Sequence, residues 1–158
     1  MPQLSMHSPF GEITISEDDG RLVALDWGWG RDQEPTPLLI EVRDALTAYF
    51  DGEKVTFDFP LDPYGTDYCR KVWAALREIP YGATRSYADI ARVAGGSARS
   101  VGQANGRNPL PILIPCHRVV AAGTKGRFAL GGYSGGDGPE TKRGLLLLEG
   151  MEQASLGL

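Results

Sequence analysis

Apolar and polar residues alternate through 12–16, with Ile13 and Ile15 on one face, and again through Val23, Leu25 and Trp27. Asp18, Asp19 and Gly20 lie between the two runs, so the pattern predicts a β-hairpin. After a loop at 28–37, Leu38, Val42, Leu46 and Tyr49 recur at helical spacing behind Pro37, which suits a first helical turn, and Asp51 and Gly52 end the helix. Val55, Phe57 and Phe59 alternate once more as a further strand, and Pro60, Asp62, Pro63 and Gly65 form a linker. The expected organisation is a small α/β domain over 1–60, a linker at 61–65 and a second domain over 66–158. Trp27 and Trp29 are expected to serve packing in the first domain.

In the second half, Thr66 caps a helix with Cys69, Val72, Trp73 and Leu76 on one face, which makes Cys69 a core thiol. Ser86 caps a short helix from Tyr87 to about Val93 that turns Ile90 inward. Gly95 and Gly96 break it, and Ser97 caps another from Ala98 to about Asn105. Two short helices joined by a glycine turn have the pattern of a helix-turn-helix, whose second helix reads DNA. On that second helix Ala98, Gly102 and Asn105 share a face, and Ser100, Ala104 and Gly106 add little bulk. A face this flat suits a groove roughly 6 Å wide, the minor groove, and from it Arg99 projects as an inserting side chain. The last helix begins near Pro139 and Glu140, buries Leu145 and Leu148, and brings Lys142 and Glu149 to one side. In isolation Glu149 reads as a surface charge.

Composition changes this picture in two respects. The chain's 158 residues carry a net charge of −4, which speaks against a polyanion partner. Between residues 84 and 130, however, seven cations (Arg85, Arg92, Arg99, Arg107, Arg118, Lys125, Arg127) face Asp89 alone, a local balance of +6 that leaves −10 for the remainder. A basic segment on an acidic body is an electrostatic footprint for nucleic acid. Two cysteines at unrelated positions offer neither a disulfide framework nor metal-ligand spacing, so no metal is expected. Without a membrane-length apolar run or a signal-like N-terminus, a cytoplasmic protein is expected.

The candidate chemistry lies at 108–120, NPLPILIPCHRVV. Pro109, Pro111 and Pro115 bracket Ile112 to Ile114, and prolines at this density exclude a helix or a central strand, so a short stiff strand held at its ends is expected, with Val119 and Val120 extending it. A cysteine after a buried apolar run is ordinarily inert. Here His117 follows Cys116 directly, and a neighbouring base is what a nucleophilic thiol requires. Beyond Val120 runs a glycine-rich loop at 123–138, GTKGRFALGGYSGGDG, containing Tyr133 and Ser134.

The string GRNPLPILIPCHRVV, preceded by SYADIA and SARSVG and followed by GGYSGG and a leucine-rich helix ending LEG, resembles the O6-alkylguanine-DNA alkyltransferases, the methylated-DNA–protein-cysteine methyltransferases. The likeness runs in order from about residue 65 to 150 and is weaker before it. It implies an RNase H-like α/β first domain and an α-rich, winged-helix-like second domain containing the helix-turn-helix. The function it implies is direct reversal of DNA damage. The alkyl group of O6-alkylguanine, with O4-alkylthymine an open case, would pass irreversibly to Cys116, once per molecule and without a cofactor.

The resemblance also assigns roles. His117 becomes the base, acting through a bridging water, and Glu149 orients it. Arg99 fills the space left by a flipped guanine, Tyr87 presses on the target phosphate and bonds the base, and Asn108 braces the turn between recognition helix and active-site segment. Ala98, Ser100, Gly102 and Gln103 join Tyr87 and Arg99 against DNA. The backbone carbonyls of Cys116 and Val119, with Tyr133, Ser134 and Lys142, line the guanine pocket. The implied partner is double-stranded DNA bearing O6-alkylguanine, the expected state a monomer, with cooperative assembly on DNA left open. The chain departs from the family pattern in a 120–133 segment about four residues longer than the common form, in Cys69 where glutamine is usual, and in lacking the zinc-binding cysteines of some relatives.

Two other readings compete. A DNA-binding module without chemistry, similar to the alkyltransferase-like proteins, would carry tryptophan at the position of Cys116. A Cys-His hydrolase also pairs thiol with imidazole, but gives no reason for the basic segment or for Arg99.

Overall fold

The computed structural model describes residues 1–121, 136 and 138–150. The first unit is a three-stranded antiparallel sheet, β1 (Gln3–Ser8), β2 (Gly11–Asp18) and β3 (Arg21–Trp27), in that order. Asp19 and Gly20, at φ 51° and 75°, turn the predicted hairpin with the twist of a type I′ turn. Helix α1 (Pro37–Phe50) packs on the sheet through Leu39, Val42, Leu46 and Tyr49, all buried. Its N-cap is Thr36, whose hydroxyl accepts from Leu39 N.

Strand β1 is absent from the expected elements. Its Leu4, Ser5 and Met6 are all buried, and a hydroxyl pair, Ser5 Oγ to Thr14 Oγ1 at 2.7 Å, breaks the apolar alternation that would have marked it. The opposite correction applies to residues 55–59. Their alternation is real, since Val55, Phe57 and Phe59 turn toward the core, but among the described residues the segment has no strand partner. Only a bridge between Leu22 and Leu61 ties the following stretch to β3.

The second unit gathers α2 (Asp67–Arg77), α3 (Tyr87–Ala94) and α4 (Ala98–Gly106). Thr66, Ser86 and Ser97 cap the three, the latter two in reciprocal capping boxes. Gly95 and Gly96, at φ 90° and 77°, make the turn between α3 and α4 that a side chain would strain. Trp73 is buried in α2 and donates from Nε1 to the Ala104 carbonyl at 2.9 Å, pinning α2 to α4. Cys69 is buried in this core, as expected.

The segment at 109–118 is not a strand. Ile112 adopts φ 73°, Ile114 N donates back to Leu110 O at 2.8 Å, and Pro115 leads into a single 3-10 turn, Cys116–Arg118. A β-branched residue in the left-handed region reverses the chain within the proline bracket, which a continuous strand would not allow. The strand that follows is the two-residue β5 (Val119–Val120), parallel to β4 (Arg85–Ser86). Because β4 runs straight into α3, this pairing sets Tyr87 beside the 3-10 turn. Helix α5 (Pro139–Leu148) packs against the same turn and buries Leu145 with Leu146, while Leu148 is only half-buried.

The units meet closely. Leu25 N of β3 donates to the Pro109 carbonyl at 2.9 Å, and the Phe10 ring lies so tightly on Gly144 of α5 that a Cβ there would come within 2.3 Å of it. Among the described residues, no helix is long and apolar enough to cross a membrane.

Candidate active site

Cys116 begins the 3-10 turn at 4 % exposure, His117 is at 0 %, and Glu149, the C-cap of α5, is at 4 %. Glu149 is thus a buried carboxylate and not a surface charge. His117 Nε2 lies 2.7 Å from Glu149 Oε2. A carboxylate only accepts, so Nε2 carries the hydrogen and Nδ1 is left as the ring's acceptor, buried and without a protein partner among the described residues. Arg118 binds the same carboxylate through Nε to Oε1 at 2.8 Å and Nη2 to Oε2 at 3.1 Å, while its Nη1 donates to the Ile79 carbonyl at 2.8 Å. Arg118 is therefore removed from the basic DNA-facing set, because its guanidinium is buried and committed to Glu149.

The electrostatics follow from this packing. Burial would raise the Glu149 carboxyl, but its bonds and charge contacts with His117 and Arg118 outweigh burial and hold it down at about 2. Burial lowers His117, Arg118 and Lys142 lower it further, and Glu149 opposes them. The imidazole is consequently neutral near pH 7, and the standing charge that keeps Glu149 ionised is Arg118. Cys116 is pushed up by burial, against the opposing influence of the Asn108 amide and the Lys142 cation. Lys142, fully buried, is lowered to about 8 by burial, with Cys116 working the other way. At rest, then, the proton belongs to the sulfur and not to the ring.

The remaining expected residues fall into distinct places. Asn108 bonds the turn twice, Nδ2 donating to Ile114 O at 2.8 Å and Oδ1 accepting from Leu110 N at 3.0 Å. Tyr87 is half-buried, its ring 5.8 Å from Lys142 Nζ and placed where a Cβ added at Gly102 would meet it at 3.8 Å. Burial and the nearby Cys116 raise its phenol, so it remains a donor. Ala98, Arg99 and Gln103 are exposed on α4. Ser100 is half-buried, its hydroxyl bonded to Ser97 N and Tyr68 OH. Asn105 does not share the flat face. It is buried and donates to the Cys116 carbonyl at 3.2 Å. That carbonyl also accepts from Val119 N, which occupies both lone pairs and leaves Val119 the better carbonyl for a ligand. Tyr133, Ser134 and the lengthened 120–133 segment lie outside the described residues, apart from Val120 and Ala121.

A groove of about 830 Å³ runs between residues 54–63 and α2. Arg118, Tyr81 and Ile114 line it, but Cys116 and His117 do not, so it is separate from the Cys116–His117 pair.

Two family profiles cover most of the chain. The one described as the 6-O-methylguanine DNA methyltransferase ribonuclease-like domain matches residues 4–63, and the one described as that family's DNA-binding domain matches 67–151. The constitutive methylated-DNA–protein-cysteine methyltransferase of Bacillus subtilis is 44% identical over 155 residues, spanning 90% of this chain and 91% of its own. Its counterpart in Methanosarcina acetivorans is 40% identical, spanning 90% and 94%. The crystal structure of Mycobacterium tuberculosis OGT in complex with DNA superposes with a TM-score of 0.81 at 42% identity, covering 94% of this chain and 92% of that one. With both profiles in consecutive order and such identity over nearly the whole length, the chain belongs to the 6-O-methylguanine DNA methyltransferase family, the methylated-DNA–protein-cysteine methyltransferases.

Proposed function

We propose that this protein repairs DNA by moving the alkyl group of O6-alkylguanine onto Cys116, once per molecule, after extruding the damaged nucleotide from the duplex. The observation that carries the assignment is the buried chain of contacts from Glu149 to His117, next in sequence to a buried thiol and beside the α3–α4 helix pair. The alkylated oxygen lies within the base stack, so a sulfur reaches it in line only when the base is flipped out. Helix α4 approaches the minor groove with its small residues, and exposed Arg99 occupies the gap.

In the transfer, the Cys116 proton passes to His117 Nδ1 through a water, the thiolate attacks the alkyl carbon, an S–C bond forms and the C–O6 bond breaks. The electron pair leaves on guanine, whose anion takes a hydrogen bond from Tyr87. Glu149 supports the imidazolium as it forms. Full ionisation of an ordinary thiol would gain at most about 30-fold, roughly 2 kcal/mol. Placement of the sulfur against a bound base can supply about 7–11 kcal/mol, so positioning is the larger contribution. The shifts of Cys116 and His117 agree with that order, since both keep the resting thiol protonated.

The test is intact-protein mass after incubation with duplex DNA containing methylated guanine, followed by peptide mapping. One added methyl on Cys116, saturating at one per molecule, is the expected result. Restored guanine with unchanged protein mass would mean turnover, and an intact lesion with bound protein would mean recognition alone. Either outcome overturns the assignment. Activity toward O4-alkylthymine is read from the same experiment with that base.

A further inference from the structure

We propose that Tyr49, on α1 of the first domain, is a positioning residue for alkyl transfer: its phenol holds the Glu149 carboxylate in the orientation that fixes the His117 ring. This rests on the proposed roles of Cys116, His117 and Glu149. Tyr49 OH donates to Glu149 Oε2 at 2.5 Å across 100 residues of sequence, in a fully buried setting. Oε2 is the oxygen that His117 Nε2 also uses, at 2.7 Å. Burial and the adjacent Glu149 raise the phenol far above its ordinary range, so it acts solely as a donor. The ring is held edge-on by Phe50 and Tyr81, at 5.4 and 6.2 Å between centroids, and tilted against Phe57 at 5.5 Å. The hydroxyl therefore sits on a rigid mount.

The arrangement has a directional consequence. A donor on Oε2 draws off negative charge that would otherwise stabilise a protonated His117. Among the described residues, the other charged and titratable groups around the ring are Arg118 on its own turn, Lys142 on α5, Glu149 at its C-cap, and Cys116. Tyr49 is the contribution of the first domain to this set. A tyrosine that merely fills the core would be satisfied by any acceptor, whereas this one shares an oxygen with the base.

The experiment compares wild type, Tyr49→Phe and Tyr81→Phe for the pH dependence of transfer from a free O6-alkylguanine base, read by intact mass, alongside NMR titration of His117 and the thermal midpoint. Phenylalanine keeps the ring and its stacking. Without the phenol, the acid limb of the rate and the His117 titration should both move up by about half to one pH unit, part of what one charge-assisted hydrogen bond is worth. Tyr81, whose hydroxyl bonds the Leu148 carbonyl at 3.3 Å, should alter the thermal midpoint without moving the limb. A Tyr49→Phe profile that superimposes on wild type overturns the inference whatever the midpoint does, as does an equal shift from Tyr81→Phe. Failure of the wild type to alkylate Cys116 would strike the underlying assignment instead.

Discussion

Replacing Arg118 by methionine removes the cation that, among the described residues, compensates Glu149 at neutral pH, and keeps most of the buried stem. The side chain is 8% exposed and its partner 0%, so the carboxylate would be left charged in a buried setting without its guanidinium. Breaking a buried pair in this way costs about 3–5 kcal/mol. Loss of the donor to the Ile79 carbonyl adds about 1 kcal/mol. In a chain of this size each kcal/mol is worth roughly 2–4 °C, so the midpoint should fall by on the order of 10 °C. Urea titrations at pH 7 and at successively lower pH would measure this. Acidification should narrow the gap, because the uncompensated Glu149 of the variant takes up its proton at higher pH than the wild-type group held at about 2. Adding Glu149→Gln removes the stranded charge and should recover most of the loss. A penalty below about 1 kcal/mol at pH 7, or a double variant no more stable than the single one, would refute the compensated-pair account.

Three further outcomes are expected. Wild-type stability should decline in acid in two stages: His117, depressed in the fold, costs stability as pH falls below 6.5, and Glu149 adds about 3 kcal/mol as pH falls from 4.5 toward 2. Calorimetry across that range would show it, and a profile flat to pH 3 would contradict it. Arg99→Ala should slow repair in duplex DNA far more than transfer from the free base, with equal losses on both refuting the gap-filling role. Cys116→Ser should still bind duplex DNA in a mobility-shift assay yet gain no alkyl mass, and transfer at the normal rate would place the acceptor elsewhere.

Local signals carried most of the fold into the sequence. The hairpin was legible because Ile13 and Ile15 alternate before Asp19-Gly20, and the helix pair because Ser86 and Ser97 cap themselves within four residues. What stayed hidden depends on partners remote in the chain. Ser5 is buried in β1 only because Thr14 satisfies its hydroxyl. Arg118 counts as a DNA-facing cation until Glu149 is seen beside it, and Asn105 counts as part of a flat face until the Cys116 carbonyl claims its amide. Cys116 and His117 were legible from their adjacency, but Tyr49 looked like one more apolar position of α1, since no spacing rule connects residues 49 and 149. Helical amphipathicity shows that a tyrosine faces inward, not which acceptor its hydroxyl meets.

The burial of Cys116 has a consequence for the protein's shelf life. A thiol that is 4 % exposed and held protonated by its surroundings presents little thiolate to peroxides, disulfides or stray electrophiles in solution. If Cys116 is consumed by one transfer, as proposed, any side reaction at that sulfur is as final as the intended one. Low reactivity while waiting and high reactivity against a seated base are then parts of the same design, and the interior position of the 3-10 turn provides the first of them.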